Sequence, residues 1–333
     1  MSPNTSKIPV AIAGTGSYLP ERIMTNKDLE SIVDTTEEWI TSRTGIQERR
    51  IAAEGENTSD LATEAAKNAL QNAGVNASDI DLIIVGTITP DTLTPATACY
   101  VQHNIGATSA LAFDVSAACS GFLYAMEIAQ RMISDGVYKN ALIIGAEKLS
   151  AFTNWSDRNT CVLFGDGAGA AVLTRGTENT GRILATKVGT DGSKASILNI
   201  PGGGSACPTT RDNADLKLAS LAMQGKEVFK HAVNAMKRSA EAVIEEAGLS
   251  ADNIKLVIPH QANLRIIDAI ADRLTIPNEK VFVNLHKYGN TSAAAVAIAL
   301  DEAHREGKFE RGDNIVLVGF GAGLTWAAIA IKW

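Results

Sequence analysis

Short apolar runs alternate along the chain with longer stretches in which apolar residues recur every three or four positions. The short runs predict buried β-strands. They cover 10–13, 82–85, 110–113, 141–144, 168–173, 256–258, 281–283, 315–318 and 327–331. The longer stretches predict amphipathic helices over 58–73, 121–133, 225–247 and 264–274. This alternation indicates an α/β layered fold with largely buried sheets, in which the glycine-rich segment 192–215 is a long surface loop.

Two parts of the chain repeat at a constant offset of 174 residues. Residues 73–84 match residues 247–258, and residues 140–145 match residues 314–319. In the first pair, each copy has a helical pattern that ends at a glycine, followed by a turn and a buried strand. The common offset predicts a duplicated fold whose halves, of about 170 residues each, pack around one pseudo-dyad. We expect an active site at strand ends where the halves meet.

Composition narrows the class of protein. The 333 residues are 45% hydrophobic and 20% charged, as in ordinary globular proteins. A net charge of -7 disfavours nucleic acid as the main partner. No apolar run reaches the roughly 18 residues of a membrane span, so no membrane association is expected. The N-terminus shows neither a charged region nor an apolar region of a secretory signal, which favours a cytoplasmic location.

The cysteines do not form a metal motif. There are four of them, with no CxxC pair and no histidine at ligand spacing: Cys99, Cys119, Cys161 and Cys207. In a cytoplasmic chain of this length they are expected to be reduced thiols, mostly buried, and no metal site is predicted. The number and spacing of the cysteines do not show whether one of them is a nucleophile.

Cys119 is the strongest candidate for chemistry. A predicted strand leads into a turn of small residues, and a helical pattern begins directly after the cysteine. The thiol would then lie at a helix N-terminus, where unpaired N–H groups and the positive end of the dipole stabilise a thiolate. The arrangement is similar to the nucleophile elbow of other acyl-transfer folds. A small cysteine buried beneath a helix would have the same surroundings, so this segment alone leaves both interpretations open.

Two further polar side chains follow predicted strands in the second half. His260 lies at the end of a repeat strand, where a neutral imidazole is able to act as a base or as a donor to a carbonyl oxygen. Asn290 precedes an alanine-rich helical pattern, much as Cys119 does in the first half, and we expect it to lie opposite Cys119 across the pseudo-dyad. Taken alone, His260 is equally explained as a residue that caps a turn, and Asn290 as the N-cap of the following helix.

Three glycine clusters invite comparison with phosphate-binding loops. The cluster at 14–16 has no third glycine and no following helix, and the cluster at 165–169 leads into a strand. No Walker motif is present, so a nucleotide cofactor is not expected. The cluster at 319–323 predicts a tight turn between two strands, whose backbone N–H groups are able to form an oxyanion hole.

Together these motifs resemble the thiolase-fold condensing enzymes, and within them the β-ketoacyl-acyl carrier protein synthase III family. The resemblance covers essentially the whole chain and depends on residues 114–121, 260–263, 289–292 and 319–323. Elongating synthases carry a second histidine in place of Asn290, and thiolases need a second active-site cysteine. Chalcone-synthase-like enzymes share the Cys–His–Asn set and differ only in the flanking sequence.

The resemblance implies a fold and a division of the chain. The fold is a layered α-β-α-β-α arrangement with two mixed sheets around a pseudo-dyad. The N-terminal half, 1–175, carries the cysteine, and the C-terminal half, 176–333, carries the histidine and the asparagine, in one compact unit. A homodimer is also implied.

The implied reaction is a decarboxylating condensation of an acyl-CoA primer with malonyl-acyl carrier protein, which initiates fatty-acid synthesis without a cofactor. Cys119 would form a thioester with the acyl group, and the backbone N–H groups of Cys119 and Ala322 would form the oxyanion hole. The family usually has glycine at the position of Ala322, but a backbone donor survives that change.

His260 and Asn290 would stabilise the enolate, and Phe320 would orient the malonyl group. Two alternatives are a condensing or acyl-transfer enzyme of secondary metabolism and a catalytically silent protein of the same fold.

The resemblance also assigns binding residues. Those implied to bind CoA are Thr35, Trp39, Arg43, Arg158, Met223, Gly225, Phe229 and Asn263. Those implied to line the acyl pocket are Thr94 and Phe164. Arg265 would dock the acidic carrier protein, whereas Lys226 and Lys230 are more simply explained as a solvated helix face. Thr94 would reach the pocket of a neighbouring subunit, and because threonine is small we expect primers longer than acetyl to be accepted.

Overall fold

The structure is a computed structural model that describes residues 7–177 and 181–333. The expectation about a secretory signal depends mainly on the first residues of the chain, and residues 1–6 lie outside the described part. No helix in the described part is both long and apolar enough to cross a membrane.

The secondary structure alternates between strands and helices, as the hydrophobic pattern predicts. The strands are β1 (Val10–Tyr18), β2 (Arg22–Thr25), β3 (Glu48–Ile51), β4 (Leu82–Gly86), β5 (Leu111–Val115), β6 (Asn140–Glu147), β7 (Gly167–Arg175), β8 (Arg182–Thr190), β9 (Leu198–Asn199), β10 (Ala222–Met223), β11 (Leu256–Pro259), β12 (Asn314–Gly321) and β13 (Thr325–Lys332). The helices are α1 (Asn26–Glu30), α2 (Glu37–Thr44), α3 (Thr58–Ala73), α4 (Thr97–Ile105), α5 (Gly121–Ser134), α6 (Gly225–Glu246), α7 (Leu264–Leu274), α8 (Leu285–Tyr288) and α9 (Ala294–Arg305).

Two mixed sheets form the frame. The first has five strands in the order β1-β7-β6-β4-β5, and the second has four in the order β11-β12-β13-β8. In the first sheet β4 is parallel to β5 and β6, whereas β7 is antiparallel to both of its neighbours. In the second sheet β11 is parallel to β12, and β13 is antiparallel to β12 and β8. The two sheets therefore share one strand pattern.

The sequence repeat coincides with this shared pattern. β4 and β11 begin 174 residues apart, as do β6 and β12. The same offset relates two residues with a left-handed backbone, Ala118 at φ 46° and Ser292 at φ 47°. Each lies in the turn that leads into a central helix, α5 or α9. The turns of the two repeats therefore share a backbone conformation that residues other than glycine adopt only under local constraint.

Each of these turns packs against a strand of the other sheet. Gly145 of β6 faces the backbone of Ala293 so closely that an added Cβ would overlap it. Gly321 of β12 faces the backbone nitrogen of Cys119 in the same way, and Gly319 lies in ordinary contact with the backbone of Cys119 and Ser120. Gly145 and Gly319 are themselves 174 residues apart, so the packing is reciprocal.

The helices lie in three layers around the two sheets. α3 packs with β4, β6 and β7 in one apolar cluster, and α6 and α7 pack with β11, β12 and β13 in another. α5 and α9 share a third cluster with both sheets. The result is the α-β-α-β-α fold that the resemblance implies, and this prediction of the fold is confirmed. The proposed boundary at 175/176 stays a prediction, and it falls between β7 and β8.

The structure corrects three parts of the predicted pattern. Residues 281–283 form no strand, only an isolated bridge between Val257 and Val281. β8 went unpredicted because its apolar residues alternate with polar ones on a largely exposed face. The predicted loop 192–215 begins with a 3₁₀ turn (Gly192–Ile197) and the short strand β9 before it becomes irregular.

Candidate active site

A cavity of about 490 Å³ lies between the two halves of the repeat. Its inner end is lined by Cys119, His260 and Asn290. Each of these residues follows the end of a strand or precedes a central helix, as the sequence predicts. The structure therefore brings the three together, although they are far apart in the chain.

Cys119 lies in a 3₁₀ turn, Ala118–Ser120, directly before α5. The thiol is buried, and burial raises its pKa to about 12. The side chain of Ser292 lies beside the thiol and lowers this pKa, whereas the charge of Glu147 raises it. Burial therefore opposes the stabilisation of a thiolate that the position at a helix N-terminus predicts. The resting thiol is protonated at neutral pH.

His260 is held at the end of β11 by its backbone, and its imidazole is only 3% exposed. The backbone N–H donates to the carbonyl oxygen of Val318 at 2.7 Å. Burial lowers the pKa of the imidazole to about 4, so the ring is neutral at neutral pH. Its Nδ1 is buried and has no hydrogen-bond partner within the described residues. The alternative of a histidine whose side chain caps the turn is therefore not supported.

Gln261 closes the turn that follows β11. Its amide nitrogen donates to the carbonyl oxygens of Pro259 and Phe282, at 2.7 and 3.1 Å. Its amide oxygen accepts from the backbone N–H groups of Asn284 and Leu285. This buried side chain fixes the backbone next to His260 without using the imidazole.

Asn290 is fixed by both its backbone and its side chain. Its backbone N–H donates to the carbonyl oxygen of Leu163 at 2.8 Å. Its side-chain oxygen accepts the Ser292 N–H at 2.8 Å, which leaves the amide NH₂ free to act as a donor. Because α9 begins at Ala294 with Ala293 as its N-cap, the N-cap interpretation of Asn290 is wrong.

The glycine-rich turn between β12 and β13 forms another wall. Phe320 and Ala322 line the cavity. The Thr325 hydroxyl donates to the carbonyl oxygen of Ala117 at 2.8 Å, and so ties this turn to the one that carries Cys119. A Cβ on Gly321 would lie 2.6 Å from the Cys119 backbone nitrogen. The backbone donors of the two turns therefore lie close together.

The outer end of the cavity carries an aromatic ring that is close to two cations. The guanidinium groups of Arg43 and Arg158 lie 5.5 and 5.1 Å from the centroid of the Trp39 ring. The other predicted residues that line the cavity are Met223, Gly225, Lys226, Phe229, Asn263 and Phe164. This end of the cavity suits a planar group that carries anionic substituents.

Four of the predicted binding residues do not line this cavity: Thr35, Arg158, Thr94 and Arg265. Arg158 still contacts Trp39 and donates to the carbonyl oxygen of Asp34. Arg265 donates to the carbonyl oxygen of Ser42 at 3.1 Å. Thr94 lies on an exposed loop. Lys230 is exposed as well, as expected for a solvated helix face.

Two buried polar residues near the site went unpredicted. Glu147 is fully buried at the end of β6 and contacts Ser292. Arg49 is fully buried and donates to the carbonyl oxygens of Met24 and Val162. The only signal for Glu147 in the sequence is its place at the end of an apolar run, and Arg49 lies among polar residues and carries no such signal. Among the described residues, no group of histidine, cysteine or acidic side chains is arranged to hold a metal ion.

Comparisons with known proteins give one consistent result. The family described as 3-Oxoacyl-[acyl-carrier-protein (ACP)] synthase III matches residues 113–192, and its C-terminal counterpart matches residues 244–333. A Beta-ketoacyl-[acyl-carrier-protein] synthase III of Caldanaerobacter subterraneus is 56% identical, over 98% of each chain. The crystal structure of 3-oxoacyl-[acyl-carrier-protein] synthase III from Aquifex aeolicus is 51% identical, with a TM-score of 0.90 over 97% of this chain and 100% of that one. The priming beta-ketosynthase of the R1128 polyketide pathway is 38% identical, with a TM-score of 0.90 over 98% of this chain and 96% of that one.

Proposed function

The chain belongs to the 3-oxoacyl-[acyl-carrier-protein] synthase III family, and from this premise we propose which residue performs each step of its reaction. The protein is an acyltransferase that condenses an acyl-CoA primer with malonyl-acyl carrier protein and so initiates fatty-acid synthesis. The observation that carries the assignment is the convergence of Cys119, His260 and Asn290 on one cavity.

In the first step the Cys119 sulfur attacks the acyl-CoA thioester, and CoA leaves. The tetrahedral oxyanion forms beside the turns that carry Cys119 and Ala322, whose backbone N–H groups serve as the donors. This role is supported by the close approach of Gly321 to the Cys119 nitrogen. One such donor is typically worth about 3–4 kcal/mol in a dry site.

In the second step malonyl-acyl carrier protein loses carbon dioxide and becomes an enolate. A neutral His260 and the free NH₂ of Asn290 donate hydrogen bonds to its thioester oxygen, where negative charge develops. This role is supported by the depressed pKa of His260, which keeps the ring from binding a second proton. The enolate then attacks the acyl-Cys119 thioester, and Phe320 shields the reacting groups from water. The product is 3-ketoacyl-acyl carrier protein, and no cofactor takes part because carbon dioxide is the leaving group.

CoA binds at the outer end of the cavity. The adenine stacks on Trp39, with Arg158 on its other face, and the positive charge of Arg43 attracts the phosphates. Met223, Gly225, Phe229 and Asn263 line the passage of the pantetheine arm. Thr35 is close to α2, and its buried hydroxyl has no partner within the part of the chain described.

Arg265 docks the carrier protein. It lies at the start of α7, next to Asn263 at the rim of the cavity. The carrier protein is acidic, so a basic group at this rim would steer it toward the cavity even on a protein of net charge -7. Lys226 lines the cavity and is a second candidate for this contact.

The protein forms a homodimer through β5. This strand pairs only with β4, and its other edge is unpaired within residues 7–177 and 181–333. Leu111 of β5 is 46% exposed, and Leu93 in the loop before α4 is 91% exposed. An exposed apolar edge strand is a template for pairing with a second chain. In such a dimer Thr94, next to Leu93, reaches the acyl pocket of the other subunit, of which Phe164 forms part. We place the dimer in the cytoplasm, where its substrates are made.

Priming of a polyketide pathway is the second candidate function. It is favoured by the similarity to the R1128 priming ketosynthase, which shares the same fold. The two functions differ in the carrier protein that delivers the second substrate.

Intact mass spectrometry tests the proposal. The protein is incubated with acetyl-CoA or octanoyl-CoA, beside Cys119→Ala and the exposed-thiol control Cys99→Ala. We expect each acyl group to be added to the wild type and to Cys99→Ala, but not to Cys119→Ala, and to be lost when malonyl-acyl carrier protein is supplied. An acyl group that persists with the fatty-acid carrier and is lost with a polyketide carrier would favour the second candidate. Absence of acylation by any acyl-CoA would overturn both.

A further inference from the structure

A buried carboxylate lies behind the proposed nucleophile and has no role in the steps above. Glu147 is 0% exposed. Its Oε2 accepts hydrogen bonds from the Thr89 hydroxyl at 2.6 Å, the Ile88 N–H at 3.1 Å and the Thr87 hydroxyl at 3.2 Å. Its Oε1 accepts from the Ser292 hydroxyl at 2.9 Å. Both oxygens are thus occupied by neutral donors.

No cation neutralises this carboxylate. Among the ion pairs of the described residues, none involves Glu147. The ammonium group of Lys148, its neighbour in the chain, donates instead to the carbonyl oxygen of Glu56. Burial raises the pKa of Glu147 to about 7, so the group gains and loses a proton near neutral pH.

The titratable groups around this carboxylate are few. The turn before α5 contributes the Cys119 thiol, and the end of β11 contributes His260, whose ring is neutral. The segments 87–89 and 290–293, which pack against Glu147, contribute only hydroxyl, amide and backbone groups. Asp166, a second buried acid, is bonded to Ser150 and Ala52. Cys119 is therefore the titratable group whose protonation Glu147 affects most directly.

Ser292 connects the two groups. Its hydroxyl has one hydrogen, which it donates to Glu147. Its side chain also lines the same cavity as the Cys119 thiol. Since the oxygen retains free lone pairs, it is able to receive the thiol hydrogen as it passes its own to the carboxylate. The left-handed backbone at Ser292 holds the hydroxyl in this place.

We propose that Glu147 is a positioning residue that acts through Ser292 and takes up the proton that Cys119 loses when it is acylated. This inference rests on the proposed role of Cys119. The thiol proton moves to Ser292 Oγ while the Ser292 proton moves to Glu147, so a thiol and a carboxylate become a thiolate and a carboxylic acid. The thiolate forms a bond to the acyl carbon, the carbon–sulfur bond to CoA breaks, and CoA leaves as a thiolate. CoA thiolate takes up a proton from solvent water as it leaves. Glu147 returns its own proton to the Cys119 thiolate, through Ser292, when the condensation step breaks the acyl–Cys119 bond.

The physical advantage of this route is that no second charge is buried. A thiolate formed by loss of the proton to water would lie in the same dry site as the Glu147 carboxylate, and each would raise the pKa of the other. A transfer between them moves one existing negative charge by a few atoms. His260 is a poor alternative acceptor, because burial opposes its protonation.

The test is the pH profile of single-turnover acylation, followed by intact mass from about pH 5 to about pH 9. We compare the wild type with Glu147→Gln, Glu147→Asp and Ser292→Ala. Asp166→Asn is the matched control, because it also replaces a buried acid by its amide without contact to Ser292. We expect the wild-type rate to rise with pH and to level off above about 7. In Glu147→Gln and Ser292→Ala the rate at neutral pH should fall about 100-fold and should keep rising without levelling off. Glu147→Asp should restore the plateau.

The outcomes separate the inference from the proposed function. A plateau in Glu147→Gln like that of the wild type, or a uniform loss like that of Asp166→Asn, would overturn the inference and leave Cys119 as the nucleophile. If Glu147→Gln does not fold, the pH profile of Ser292→Ala tests the inference instead. This variant keeps the carboxylate and removes the hydroxyl that connects it to Cys119. An acyl group still gained by Cys119→Ala would instead overturn the proposed function.

Discussion

One methyl group at Gly321 should disturb the reaction more than its size suggests. In Gly321→Ala the new Cβ would lie 2.6 Å from the Cys119 backbone nitrogen, 3.1 Å from the Ala118 Cβ and 3.3 Å from the Cys119 Cα. Cβ atoms in real proteins essentially never come closer than 3.0 Å to another heavy atom. The turn at Cys119 and the end of β12 must therefore separate by at least about 0.4 Å.

Two effects of this separation are expected. Overpacking of this kind typically lowers the free energy of unfolding by about 1–3 kcal/mol. The displaced nitrogen is also a proposed oxyanion donor, and the complete loss of such a donor reduces kcat by about 10²–10³-fold. Because the shift is a fraction of an ångström, we expect the acylation rate to fall about 10–100-fold.

The assay is the rate of mass gain with acetyl-CoA, together with a urea unfolding curve. Gly204→Ala is the matched control, because an added Cβ there meets no atom within 4 Å. The reasoning would be refuted if Gly321→Ala acylated within about twofold of Gly204→Ala while both remained folded.

Three further predictions address binding, chain length and stability. Trp39→Ala should raise the KM for acyl-CoA about tenfold with little change in kcat, since the stacking of the adenine on an aromatic ring, typically worth about 1–3 kcal/mol, is lost. An unchanged KM in steady-state kinetics would argue against adenine stacking. The wild type should use octanoyl-CoA in an acyl-CoA chain-length series, and Thr94→Phe should lose octanoyl-CoA before acetyl-CoA; a wild type inactive beyond four carbons would contradict the role of Thr94. The free energy of unfolding should fall as the pH drops from 6.5, the ordinary pKa of histidine, to about 4, the pKa of His260 in the folded protein. Between these two values the unfolded chain binds a proton at His260 and the folded chain does not. The loss is about 2–3 kcal/mol, and urea curves of the wild type and His260→Gln that decline equally from pH 7 to pH 4 would contradict it.

The sequence predicts those helices best whose ends carry local signals. The prediction for α3 is correct at both ends, because Asn57 caps its start and Gly74 follows its end in a left-handed conformation. α7 is likewise correct, with Asn263 as its N-cap. β8 could not be predicted in this way, because its pairing with β13 is determined by tertiary contacts and its exposed face carries no apolar run.

The candidate site was likewise predictable from the sequence only where local motifs mark it. Cys119, His260 and Asn290 stand next to strand ends in recognisable motifs, so their convergence on one cavity could be expected from the sequence. The protonation state of Cys119 could not be expected from the sequence, because the pKa of the thiol depends on burial and on the charge of Glu147. The burial of Glu147 depends in turn on segments that lie about 60 residues before it and 145 residues after it.

The reciprocal packing of the two turns has a consequence for how the protein opens. The turn at Cys119 rests on β12 of the second sheet, and the turn at Ala293 rests on β6 of the first. The left-handed backbone at Ala118 and at Ser292 depends on packing against the strand of the other half, so neither half forms its part of the active site alone. The amide protons of both turns should therefore exchange with solvent in a single opening event of common free energy.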